Sequence, residues 1–142
     1  MSPNTATILV TDDDENDLFF LQRAIARAGL ANPLFVSHDG QEAIDYLAGA
    51  PPYDNRIRYP LPGLLLLDLK MPRVNGFDVL SWWSQRPDLK HIRVVVLSSS
   101  SHEEDVKKAK DLGAHDFRTK PPEFQNLVDL IRDVHQRWLQ HQ

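Results

Sequence analysis

Five short runs suited to strands, alternating with amphipathic stretches, constrain this chain more than any other feature of it. ATILV (6–10), PLFVS (33–37), GLLLL (63–67), IRVVVL (92–97) and the less apolar AHDFRT (114–119) read as strands. Between them apolar residues recur every three or four positions, which is the period of one helix face. Leu18, Leu21, Ile25 and Ala28 make the first face, and Ala43, Ile44 and Leu47 the second. Phe77, Leu80 and Trp83 make the third, Val106, Ala109 and Leu112 the fourth, and Phe124, Leu127, Ile131, Val134 and Trp138 the fifth. Gly29 and Gly113 follow the first and fourth as helix stops. Five strands in strict alternation with five helices predict an α/β doubly wound fold, a parallel sheet with helices on both faces. GLLLL and VVVL suit strands buried on both sides.

The alternation covers nearly all of the 142 residues, so a single domain over 1–142 is expected, with nothing after the fifth helix to form an output domain. The irregular stretch is AGAPPYDNRIRYPLPG (48–63), whose Pro-rich residues 49–63 read as an ordered loop or lid. A net charge of −4 and the lack of any Lys/Arg run speak against nucleic acid as a partner. With no cysteine, disulfides, thiolate metal sites and cysteine nucleophiles are excluded. MSPNTAT lacks a basic start followed by an apolar core, and the longest apolar run, Leu64–Leu67, is far too short to span a bilayer. The expectation is a cytoplasmic chain without membrane contact.

In a doubly wound sheet the site lies beyond the carboxyl ends of the strands. Strand one ends in Asp12, Asp13 and Asp14, strand three in Asp68, strand four in Ser98 and strand five in Lys120. Carboxylates gathered on one rim repel one another unless a cation joins them, and a hard oxygen-liking ion such as Mg²⁺ suits them. An ammonium and a hydroxyl beside that ion suit a phosphoryl group. An aspartate there can itself be the nucleophile, giving an aspartyl phosphate. The residue types point to Mg²⁺-dependent phosphoryl transfer.

ILVTDDD, LLLLDLKMPRVNG, VVVLSSS and FRTKPPEF, in that order, resemble the receiver domain of bacterial two-component response regulators from about Ala6 to Trp138. The resemblance implies a flavodoxin/CheY-like five-stranded sheet of order 2-1-3-4-5. It implies phosphorylation of Asp68 by a sensor histidine kinase and a Mg²⁺ (or Mn²⁺) held by Asp12, Asp13, Asp68 and the backbone carbonyl of Lys70. It gives Ser98 and Lys120 to the phosphoryl group, and Phe117 to an aromatic switch that turns inward behind Ser98. A changed face of helix four, strand five and helix five would then meet a partner. Ser99 falls where receivers tune dephosphorylation, and the peptide before Pro121 is expected to be cis. Such a chain is a phosphoacceptor, catalysing only its own phosphorylation and autodephosphorylation. The Pro-rich loop and YLAGAPPYDNRIR resemble single-domain regulators paired with bacterial phytochrome kinases.

Other readings were available for the same residues. A haloacid-dehalogenase-type phosphatase would make Asp12 the nucleophile and Asp14 the acid/base, but Asn16 stands where Thr or Val is expected. D-x-D-x-N opens like a calcium loop, yet Asp17 takes the glycine position and Arg23 the bidentate glutamate position. A degenerate receiver acting only as a binding module, and a flavodoxin-like cofactor carrier, share the fold. Asn16 and Asp17 are expected simply to start the first helix. The six histidines show no metal-ligand spacing and are expected at the surface. Adjacent Trp82 and Trp83 cannot face one core side together. Exposure of Trp138 and Leu139 would suggest a homodimer through helices four and five.

Overall fold

The computed structural model describes residues 5–140. The elements run β1 (Ile8–Thr11), α1 (Glu15–Arg27), β2 (Leu34–Ser37), α2 (Gly40–Ala48), β3 (Leu64–Leu67), α3 (Gly76–Ser84), β4 (Arg93–Ser98), α4 (Glu103–Asp111), β5 (Asp116–Thr119) and α5 (Phe124–His135). A short 3₁₀ turn, Pro87–Leu89, precedes β4, and a π turn, Gln136–Gln140, extends α5. All strand pairs are parallel and the sheet order is β2-β1-β3-β4-β5. The expected architecture and order are therefore those found.

Alternation along the strands divides the core in two. Ile8 and Val10, Leu64 and Leu66, and Val95 and Leu97 face α1 and α5, meeting Leu21, Ile25, Val128 and Ile131. Leu9, Leu65, Leu67, Val94 and Val96 face the other way, against Leu47, Val79, Leu80, Trp83 and Ala109. Burial of both strand faces explains why β3 is four leucines rather than an alternating sequence. Gly29 and Gly113 take positive φ values of 78° and 102°, a conformation that non-glycine residues enter only with strain, and they end α1 and α4 as expected.

The loop over 49–63 is a strap, not a lid. The Arg56 guanidinium donates to the carbonyls of Tyr46 (2.8 Å) and Leu47 (3.0 Å) in the last turn of α2 and of Tyr59 (3.2 Å) in the strap itself. The Tyr46 hydroxyl donates to the Pro60 carbonyl at 2.8 Å, and the rings of Tyr46, Tyr53, Tyr59 and Phe35 pack edge to face or tilted. These contacts lay the strap along α2.

Several expectations on single residues are corrected. His135 is only 3% exposed, because α5 turns it inward with Val134 and Ile131. His115 is half-buried between Trp83 and Trp138, and its Nδ1 accepts the Val94 N–H at 3.0 Å. Burial and the neighbouring Arg93 and Lys90 charges hold the His115 pKa down. Trp82 and Trp83 part as expected: Trp83 is buried and donates to the Leu89 carbonyl, while half-buried Trp82 lies under Arg86. Leu139 is buried in the core and Trp138 donates its indole N–H to Asp116, since the π turn rolls both against the domain. Leu139 thus lacks the exposure expected of a dimer face, while Trp138 is half-buried. No helix among the described residues is long and apolar enough to cross a membrane.

Candidate functional site

The parallel register brings four strand ends to one rim. The Asp12 N–H donates to the Ser37 carbonyl at 3.2 Å and the Asp68 N–H to the Thr11 carbonyl at 3.0 Å, so each aspartate continues its strand by one residue. Both are buried, at 1% and 6% exposure, whereas Asp13 turns to solvent. Asp14 is the N-cap of α1, its Oδ1 accepting the N–H groups of Asn16 (2.8 Å) and Asp17 (3.1 Å). Its own N–H donates to Asp12 Oδ1 at 3.0 Å, which orients that carboxylate. A Cβ on Gly76 would stand 2.4 Å from the Asp68 carbonyl oxygen, so only glycine lets α3 start this close to β3.

From the far edge, the Lys120 N–H donates to the Ser98 carbonyl at 2.7 Å, carrying the β4–β5 ladder one step further. Its side chain then crosses the rim. Nζ lies 2.7 Å from Asp12 Oδ2, 2.8 Å from Asp17 Oδ2 and 3.5 Å from Asp68 Oδ1. Carboxylate oxygens of Asp12, Asp13 and Asp68 all lie within 4.8 Å of one another. A cleft of about 350 Å³ opens over them, lined by Asp12, Asp13, Asp14, Asp17, Asp68, Lys70, Ser99 and Lys120.

Electrostatics inside this cleft are those of a group of anions short of positive charge. Burial pushes the Asp68 pKa up to about 6; Lys120 opposes the rise, and Asp12 and Asp13 add to it. Burial likewise raises Asp12, against its hydrogen bonds from Lys120 and the Asp14 N–H. Burial also works against the Lys120 ammonium, but hydrogen bonds to Asp12 and Asp17 and the charge of Asp68 outweigh it and raise its pKa. A divalent cation fits what is missing. The donors are hard carboxylate oxygens, close enough to share one ion, and the ion would supply the charge that lone Lys120 cannot. A groove of about 550 Å³ between α2, the strap and Arg73 is larger and is lined by Asp39, Glu42 and Asp45, but among the described residues these carboxylates are not close enough together to share an ion.

Of the residues singled out from sequence, Asp12, Asp13, Asp68, Lys70, Ser99 and Lys120 meet at the cleft. The Lys70 ammonium reaches across to Asp105 on α4 at 3.5 Å. Ser98 lies fully buried beneath the cleft, its Oγ accepting the Ser100 N–H at 3.2 Å. Phe117 is half-buried on the α2–α3–α4 side of the sheet and does not line the cleft. The peptide before Pro121 is trans, not cis; the cis bond among the described residues joins Pro51 and Pro52. The trans form is the intrinsically favoured one, and Lys120 reaches its carboxylates from it.

Asp17 is the site residue that sequence reasoning missed. Assigned only to the start of α1, it also grips Lys120. The available signal was its place in the first turn of the helix that follows β1: helical side chains lean toward the N-terminus, which here points at the rim.

Comparison with known proteins matches residues 8–132 to the response regulator receiver domain. Response regulator Rcp1 of Synechocystis sp. is 32% identical over 133 residues, covering 94% of this chain and 88% of Rcp1. The phosphorylated cyanobacterial phytochrome response regulator RcpA superposes with a TM-score of 0.86 at 32% identity, over 95% of this chain and 94% of RcpA. The Mn²⁺-bound form of Rcp1 superposes with a TM-score of 0.84 at 31% identity, over 96% of both chains.

Proposed function

The chain belongs to the response regulator receiver family, and from that membership we propose that Asp68 is its phosphoacceptor, charged by a sensor histidine kinase of the phytochrome type. The observation that carries the reading is the convergence of Asp68 with Asp12, Asp13 and Lys120 on one cleft at the strand ends. A carboxylate oxygen of Asp68 attacks the phosphorus of a phosphohistidine. An O–P bond forms as the N–P bond breaks, and the electron pair leaves with the imidazole nitrogen. The deprotonated carboxylate is the nucleophilic form for this attack.

Asp12, Asp13, Asp68 and the Lys70 carbonyl would hold Mg²⁺ or Mn²⁺; the clustering of the three carboxylates supports the reading, as does a Mn²⁺-bound form of the relative Rcp1 for the kind of ion. When bound, such an ion supplies Lewis-acid stabilisation of the charge on the phosphoryl oxygens. Lys120, already within 3.5 Å of Asp68, neutralises charge on the same oxygens, and Ser98 donates its hydroxyl once it is drawn inward. Movement of Ser98 then frees space for Phe117, which turns in and alters the surface of α4, β5 and α5 for a downstream partner. A cytoplasmic setting goes with this pairing to a kinase. The phosphatase alternative with Asp12 as nucleophile finds no support among the relatives.

The test is incubation with acetyl phosphate and Mg²⁺, followed by mapping of the labelled residue. Label on Asp68, lost in Asp68→Asn, is expected; label on Asp12 with none on Asp68 would overturn the reading.

A further inference from the structure

Asp17 has no part in the reading above, yet it holds the ammonium that this reading assigns to the phosphoryl group. Its place is well defined. Its backbone N–H is bonded to the Asp14 cap at 3.1 Å, and its Oδ2 lies 2.8 Å from Lys120 Nζ. The Lys120 backbone is fixed from the other side, through its 2.7 Å hydrogen bond to the Ser98 carbonyl. Within that frame the side chain's partners decide where the ammonium rests. It rests on Asp12 and Asp17, at 2.7 and 2.8 Å, and stands off from Asp68 at 3.5 Å.

An ammonium donating to a phosphoryl oxygen on Asp68 must give up at least part of this hold. Asp12 is one of the residues assigned to the metal, so a bound cation competes with Lys120 for it. Asp17 is not within the carboxylate cluster that can share an ion, and its grip remains. An interaction made in the ground state and loosened in the transition state slows a reaction.

We infer that Asp17 is a positioning residue, a ground-state tether that draws Lys120 toward α1 and sets how readily it reaches a phosphoryl group being transferred to Asp68. The inference rests on Asp68 being the phosphoacceptor. Because the Asp17 side chain is 40% exposed, water and salt screen the tether. Its release is therefore expected to raise the maximal phosphorylation rate by only about 1.4- to 5-fold, the range for a part-exposed pair.

The experiment follows Asp68 phosphorylation by acetyl phosphate at saturating Mg²⁺ in the full chain, comparing wild type, Asp17→Asn, Asp17→Glu, Lys120→Ala and the Asp17→Asn/Lys120→Ala double variant. Asp17→Asn should raise the maximal rate with little change in the donor concentration at half-maximum. The gain should shrink as salt rises to about 1 M, where charges are screened within about 3 Å. Asp17→Glu, which keeps the charge, should stay near wild type, and the gain should vanish in the Lys120→Ala background. Asp17→Ser, also uncharged and tolerated in a first turn, serves as the second variant should the asparagine form misfold. An unchanged or lower rate in both uncharged variants would overturn the tether, as would a gain that survives removal of Lys120. A wild-type protein that takes no label on Asp68 would instead remove the phosphoacceptor reading itself, and the tether with it.

Discussion

Replacing Asp68 by asparagine should make the metal-free protein more stable at neutral pH, although it removes the proposed phosphoacceptor. The folded protein raises the Asp68 pKa from 3.8 to about 6, burial being the largest cause. A step of one in pKa corresponds to about 1.4 kcal/mol, so the ionised carboxylate costs the fold about 3 kcal/mol relative to its neutral form. The sign follows from which state holds the proton. Between pH 3.8 and about 6 the folded chain keeps a proton that the unfolded chain has lost, so stability is full below that window and falls as pH rises through it. Asparagine mimics the neutral side chain at every pH. Urea denaturation followed by circular dichroism, with a chelator present, should show Asp68→Asn ahead by about 3 kcal/mol at pH 7.5. The same comparison at pH 4.5 should show a lead of only about 1 kcal/mol, since folded Asp68 is then nearly neutral and only the unfolded chain's readier ionisation still separates the two proteins. Millimolar Mg²⁺ should stabilise wild type more than the variant and narrow the gap. An Asp68→Asn protein no more stable than wild type at pH 7.5, or a gain equal at both pH values, would refute the electrostatic account of the cleft.

Lys120→Ala removes the cation from among three carboxylates and should cost about 3 kcal/mol in chelator, the scale for leaving buried charge unpaired. Mg²⁺ should restore much of that loss, and urea midpoints with and without the ion measure it. Asp14→Ala deletes the cap that takes two N–H groups of α1. It should lower stability by about 1 kcal/mol and speed amide exchange in the first turn of that helix. Arg56→Met removes three hydrogen bonds to carbonyls of α2 and the strap. It should cost about 1–3 kcal/mol and raise exchange across 49–63 while leaving phosphorylation of Asp68 unchanged, because the strap does not line the cleft.

The relation between sequence and structure differs from element to element. The strands were legible because their apolar runs are buried on both faces, a demand that GLLLL and VVVL meet without help from distant residues. The site was legible for a related reason. In a parallel sheet every strand ends on the same rim, so polar residues directly after Thr11, Leu67, Leu97 and Thr119 must be neighbours whatever lies between them. The resemblance of four motifs then supplied roles that spacing alone could not.

Other features depend on angles and packing that no local pattern encodes. The grip of Asp17 on Lys120 needs α1 to leave β1 at one inclination and the β5 end to face it across the sheet. His135 and Leu139 look like polar and terminal residues in sequence, but the pitch of α5 and the π turn after it rotate them into the core. The Pro-rich stretch could have covered the acidic cleft; Arg56 and three tyrosines tie it to α2 instead. By itself, the sequence determined the doubly wound sheet and which carboxylates share its rim, because burial and strand direction act locally and repeat along the chain. Tertiary structure alone decided which of those carboxylates holds Lys120, because a single ammonium among three competing oxygens is placed by distances of a few tenths of an ångström.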